Sequence, residues 1–144
     1  MITCDLHKVL DVGAQENTPN SWYVEAIFNL LSLGFVFYVL SFIGRNSDEK
    51  RARATEFVRT LNRLLRARRP ALPEVPLHFA DHPLGTRGKA QRARELKSDL
   101  HIDDRVDILA ECEQEGIETV HITRKLDFYH AAGEIARKQK PFKD

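Results

Sequence analysis

The chain predicts an α/β fold, a three-layer Rossmann-like parallel sheet of about five strands with helices on both faces and no cap domain. Three observations carry this. Short apolar segments alternate with helical patterns along the whole sequence, no hairpin dipeptide joins any two of the apolar segments, and 144 residues suit one layered domain. Residues 1–144 are therefore expected to form a single domain with a single site. The apolar pattern begins at residue 1, as it would in a domain excised from a longer polypeptide or in a naturally minimal protein.

The elements follow in order. Residues 1–4 read as a strand and are followed by a polar loop through Asn20. Tyr23, Ile27, Leu30 and Leu31 have helical spacing, so 21–33 reads as a helix stopped by Gly34. The β-branched and aromatic run 35–40 is a buried strand, with a loop at 41–47. Asp48 is a plausible N-cap for a long helix to about Arg68, which Pro70 and Pro73 end. Val75 to Ala80 is a short strand, and Asp81 to Gly88 is turn chemistry throughout. A helix at 88–97, a brief strand at 99–102, a helix at 105–115 ended by Gly116, a strand at 117–122 and a closing helix near 127–138 complete the rhythm.

Composition narrows the function classes. Apolar residues make up 42% and charged residues 30%, an ordinary globular balance, and the net charge of +1 gives no global pull toward nucleic acid or anionic membrane. Cys4 and Cys112 cannot build a disulfide framework or a metal knuckle alone, and they suit buried thiols in a reducing intracellular compartment, such as the cytoplasm. No signal peptide is evident. The apolar stretch Ala26 to Ile43 is at the lower edge of membrane-spanning length, but Asn29, Ser32, Gly34 and Ser41 interrupt it; a helix, a stop and a strand explain it better. No glycine-rich nucleotide loop or nucleophile elbow is present, and the remaining histidines, His101 among them, lack a metal-ligand spacing.

In a parallel sheet, ligands bind beyond the carboxyl ends of the strands. Asp5, Ser41 and the Asp103-Asp104 pair each follow an apolar run, so three strands would present oxygen ligands to one rim. Asp104 fits an N-cap of the following helix as well as it fits a metal contact.

This layout resembles the haloacid dehalogenase phosphohydrolases. Their motifs are a nucleophilic Asp in Asp-x-Asp-x-Thr after the first strand, a Ser or Thr after the second, a Lys or Arg near a later helix start, and acidic metal ligands after the fourth strand. In Asp5-Leu6-His7-Lys8-Val9, Asp5 matches the nucleophile, while His7 and Val9 replace the second Asp and the Thr. Ser41 matches the second motif, Lys89 the third with Arg87 competing for the phosphate, and Asp103-Asp104 the fourth. The resemblance implies an aspartyl-phosphate formed on Asp5, and Mg²⁺ held by Asp5, Asp103, Asp104 and the backbone carbonyl of His7. It further implies that Ser41 and Lys89 hold the phosphoryl oxygens. His7 then either replaces the usual acid/base or marks a site without hydrolysis, a binding module within a larger protein; a different reaction, such as phosphodiester cleavage, is also open.

Ile102-Asp103-Asp104-Arg105 followed by Gly116-Ile117-Glu118 is similar to the 3′-phosphatase domain of phage-type polynucleotide kinase/phosphatases, and Ser41 with Arg45 loosely echoes its second motif. That similarity implies a phosphorylated substrate at a nucleic-acid end, with Arg45 as a further phosphate ligand. The basic segment 45–69 could track a phosphate backbone, or it is a solvated helix face with pairs such as Glu49 with Arg53. The sequence leaves the oligomeric state open.

Overall fold

In the computed structural model, which describes residues 1–43, 48–81 and 86–138, five strands form one wholly parallel sheet. They are β1 (Ile2–Cys4), β2 (Phe37–Ile43), β3 (Leu77–Asp81), β4 (Leu100–Asp103) and β5 (Glu118–His121), and they lie in the order β3-β2-β1-β4-β5. The helices are α1 (Ser21–Ser32), α2 (Asp48–Arg68), α3 (Thr86–Glu95), α4 (Val106–Gln114) and α5 (Phe128–Lys138). This is the three-layer α/β architecture that the alternation predicts.

Crossovers between parallel strands are right-handed, so the direction in which the chain steps across the sheet decides which face receives each helix. From β1 to β3 the chain steps one way; from β3 it returns past β1 to β4 and then β5. Accordingly α1 and α2 share one face with α5, and α3 packs with α4 on the other. Strand alternation divides the core in the same way. Ile2, Cys4, Phe37, Val39, Leu100 and Ile102 serve the larger cluster, where Phe128 meets Tyr23 and Phe37 edge to face. Leu40, Ala80, Ala90, Ala93, Ile108 and Cys112 form the smaller one.

Local chemistry sets the helix ends. The Asn20 side chain caps α1 by accepting from the Trp22 amide at 2.8 Å. Gly34, at φ 96°, closes α1 as expected, with the Phe35 amide bonded to the Leu30 carbonyl. No helix among the described residues is long and apolar enough to cross a membrane.

Three sequence expectations need correction. Ser41, placed in a loop, lies inside β2 opposite Phe79, because pairing with β3 carries the strand through to Ile43. The helix expected at 88–97 spans Thr86–Glu95: Lys97 turns left-handed at φ 62°, and the Ser98 amide bonds back to the Ala93 carbonyl. The supposed polar loop after β1 contains a tight one-turn coil, Leu6–Leu10, whose Leu6, Val9 and Leu10 are buried. Within it Lys8 is left-handed at φ 61°, and the conformation is held by its amide bonding to Asp11 Oδ1 at 2.7 Å.

Candidate functional site

The strand order reverses beside β1, so the carboxyl ends of β1 and β4 flank a crevice that no crossover covers. Asp5 stands at the end of β1, and Asp103 and Asp104 stand at the end of β4. One carboxylate oxygen from each of the three lies within 4.8 Å of the others, a group that could hold a metal ion. All-oxygen, acidic donors of this kind suit a hard cation.

Lys89 enters from the second turn of α3 and is 1% exposed. Its ammonium donates to Asp5 Oδ1 at 2.6 Å and reaches Asp103 Oδ2 at 2.8 Å. Burial alone would push Lys89 toward neutrality, but the two carboxylates outweigh it and raise its pKa, so it stays charged.

The two carboxylates respond in opposite directions. Burial raises Asp5 from 3.8 to about 7; Lys89 opposes the rise, and Asp103 and Asp104 add to it. Burial also acts against Asp103, yet hydrogen bonding from His101 and the charge of Lys89 hold it well below the usual range. Geometry supports that split. Asp103 Oδ2 receives His101 Nε2 at 2.8 Å, and its Oδ1 receives the amides of Asp104 and Arg105. Asp103 is therefore the fixed anion, and Asp5 is the carboxylate whose ionisation depends on what else enters the site.

Beneath Asp103 runs a buried polar chain that sequence reading missed. An ionised Asp103 can only accept, so the His101 proton sits on Nε2, and Nδ1 accepts from the Thr3 hydroxyl at 2.8 Å. Ser98 Oγ lies 2.8 Å from Thr3 Oγ1 and closes the chain. Burial lowers the His101 pKa against the pull of Asp103, which keeps the ring neutral. The signal available in the sequence was the spacing of His101 and Asp103: two residues apart on a strand, they share a face.

Other predicted residues are placed elsewhere. The His7 side chain is 78% exposed and is outside the carboxylate group; its Nδ1 lies 3.0 Å from Asp11 Oδ2. Ser41 is buried but has the parity of Phe37 and Val39, so its side chain serves the α1, α2 and α5 face, opposite Lys89. Arg87 is exposed on the first turn of α3, with no hydrogen bond or ion pair among the described residues. Arg45 lies outside the described residues. Asp104 is half-buried, and its carboxylate accepts no hydrogen bond among the described residues. It does not cap α4, whose N-cap position is Arg105.

His7 and Ser41 meet instead in a cleft of about 380 Å³ that begins one residue past Asp5. Leu6, Ala54 and Phe57 line its apolar side, and Asp11, Lys50 and Arg53 join His7 on the polar side. The three aspartates do not line this cleft, so the acidic crevice and the cleft are neighbouring compartments. Along α2, Arg53 faces Glu49, Arg59 faces Glu56, Arg68 pairs with Glu25, and Arg51 lies over the Phe79 ring. Part of the basic segment is thus matched locally, the expected Glu49–Arg53 pair included.

Neither thiol competes as a nucleophile. Burial pushes Cys4 well above its ordinary value and Cys112 up to about 12, and both cysteines are free and buried. Compared with protein-family models, with curated proteins and with solved structures, the chain finds no match in any of the three.

Proposed function

We propose that this chain is a Mg²⁺-dependent phosphohydrolase of the haloacid dehalogenase type that acts on an exposed phosphate monoester through an aspartyl-phosphate on Asp5. The observation that carries the reading is the convergence of Asp5, Asp103 and Asp104 at the switch point of the sheet, with buried Lys89 between two of them.

The donor set fits the cation. Three acidic groups cluster around one ammonium, and Asp5 is raised to about 7 chiefly by burial, with Asp103 and Asp104 adding to the rise against the pull of Lys89; a divalent ion would favour its ionised form. Asp5, Asp103 and Asp104 would hold it. Bound there, Mg²⁺ supplies charge neutralisation for the phosphoryl oxygens and a template for the substrate.

The chain's own residues account for the rest. Ionised Asp5 attacks phosphorus as the ester P–O bond breaks; the leaving oxygen takes a proton, and water then cleaves the acyl-phosphate to return Asp5 and inorganic phosphate. Lys89 holds the Asp5 carboxylate in place and offers positive charge to the phosphoryl group. Asp103, locked by four donors, keeps its position while Asp5 reacts. His7, at the cleft mouth and braced by Asp11, is the candidate proton donor to the leaving group. The basic face of α2, with the absence of a cap that the sequence implies, suits a large substrate such as a phosphorylated nucleic-acid end.

A second reading rests on His7 itself. It stands where the phosphatases that the chain resembles have an aspartate, and its exposed side chain is tied to Asp11 rather than to the acidic crevice. That arrangement suits a cation- and phosphate-binding module without turnover. Phosphate release from an aryl phosphate, with and without Mg²⁺, beside Asp5→Asn and His7→Asp, separates the two. Metal-dependent release lost in Asp5→Asn supports the phosphatase; a silent parent that gains activity with His7→Asp supports the binding module; silence in both removes the phosphatase reading.

A further inference from the structure

We infer that the cleft beside Asp5 is a subsite for a second phosphate, so that the preferred substrate is a nucleotide unit carrying one phosphate besides the reacting one. The inference rests on the phosphatase reading for the first phosphate and on the cleft alone for the second.

The cleft starts at Leu6 and His7, directly after the proposed nucleophile, so it adjoins Asp5 along the chain and can take a group attached to a phosphate there. At about 380 Å³ it is near the lower end of small-molecule sites, enough for one nucleotide and too small for a duplex. Its walls are of two kinds. Leu6, Ala54 and Phe57 give an apolar side, and Lys50 and Arg53 give a cationic side.

Helical spacing explains the pairing. Residues 50, 53 and 57 fall at i, i+3 and i+7 on α2, so the two cations stand on the flank of the helix that carries Phe57 into the cleft. They are separated by about 4.5 Å along the helix axis, a distance one phosphate can bridge. Competing charge is small. Glu49 lies 3.5 Å from Arg53, a loose exposed pair, and Asp11 is already engaged by His7 and by the Lys8 amide. Lys50 has no ion-pair partner among the described residues.

The test is equilibrium binding to the Asp5→Asn form of the 144-residue chain in Mg²⁺, where turnover does not interfere. Adenosine 3′,5′-bisphosphate is compared with the 3′- and 5′-monophosphates by titration calorimetry, in that background and with Lys50→Ala/Arg53→Ala added. The bisphosphate should bind at least about fivefold tighter than either monophosphate, and the advantage should fall below about twofold in the triple variant. Both substituted residues are exposed, and a thermal melt checks that the fold is retained; Arg53→Glu is a second, charge-reversing variant with the same expectation. Equal binding of mono- and bisphosphates, or an advantage that survives both variants, overturns the subsite. A 3′-phosphorylated dinucleotide identifies the source: binding as tight as the bisphosphate places an internucleotide phosphate on Lys50 and Arg53, whereas weaker binding restricts the subsite to free nucleotides. If instead the parent releases no phosphate from any ester while the bisphosphate advantage holds, the phosphatase reading fails and the subsite stands.

Discussion

Replacing Asp5 by Asn should stabilise the metal-free protein at alkaline pH. Asp5 is 6% exposed and shares Lys89 with Asp103, which is already a fixed anion. Its pKa rises from 3.8 to about 7, chiefly by burial. At about 1.4 kcal/mol per tenfold change in proton affinity, ionising Asp5 in the folded protein costs up to about 4 kcal/mol more than in the unfolded chain. Relaxation around a buried charge reduces this, so about 2–4 kcal/mol is expected. Because the folded pKa lies above the unfolded one, the stability linked to the Asp5 proton is present below about pH 4 and lost as pH rises through about 7. His101 and Asp103 titrate with the opposite sign, since folding lowers both, so only the difference between variant and parent isolates Asp5. Urea unfolding in a chelator at about pH 5.5 and pH 8.5 supplies it. Asp5→Asn should gain about 1–2 kcal/mol over the parent between the two, because part of the cost has already accumulated by pH 5.5, and Mg²⁺ should narrow the gap by stabilising the parent. A gap that stays flat, or an Asn variant that is the less stable protein at pH 8.5, would refute the reasoning by showing that the attraction of Lys89 exceeds the cost of burial.

Lys89→Met leaves two carboxylates around an apolar side chain and should cost about 3–5 kcal/mol in neutral urea unfolding; a loss below about 1 kcal/mol would mean that the ion pairs contribute little. His101→Phe deprives Asp103 Oδ2 and the Thr3 hydroxyl of partners and should cost about 1–3 kcal/mol. Combined with Thr3→Val it should be less than additive, and strict additivity would argue against a connected chain. Asp104→Asn should leave metal-free stability within about 0.5 kcal/mol, since that carboxylate accepts no hydrogen bond among the described residues. It should nonetheless weaken Mg²⁺ or Mn²⁺ binding by about tenfold in calorimetry, and an unchanged affinity would remove Asp104 from the ligand set.

The layered fold was legible because parallel strands covered on both faces read as uninterrupted apolar runs, and here they alternate with helical patterns that end at Gly34 and Gly116. Boundaries failed where a tertiary partner decides them. Ser41 interrupts the apolar run of β2, but pairing with Phe79 of β3 continues the strand, and no local signal carries that information. The coil Leu6–Leu10 is too short for periodicity and includes a left-handed Lys8 whose amide bonds to the Asp11 side chain.

At the site, the clustering of Asp5 with Asp103 and Asp104 followed from the rule that parallel strands deliver their last residues to one edge. Side-chain direction was less accessible. The sequence did not reveal that Ser41 serves the face opposite Lys89, which depends on strand parity against neighbours not yet placed, whereas the i,i+2 spacing of His101 and Asp103 on one strand was there to be read. Lys50 and Arg53 were visible only as members of a basic run, and it took the position of α2 to single them out.

A covalent bond between Asp5 and phosphorus is open to chemical trapping. The parent is quenched during turnover of an aryl phosphate in Mg²⁺, reduced with borohydride to convert any aspartyl-phosphate to homoserine, and mapped by peptide mass. Homoserine is expected at position 5 only when substrate and Mg²⁺ are both present. Metal-dependent phosphate release that persists in Asp5→Asn, with no modification at position 5 in the parent, would contradict that covalent bond.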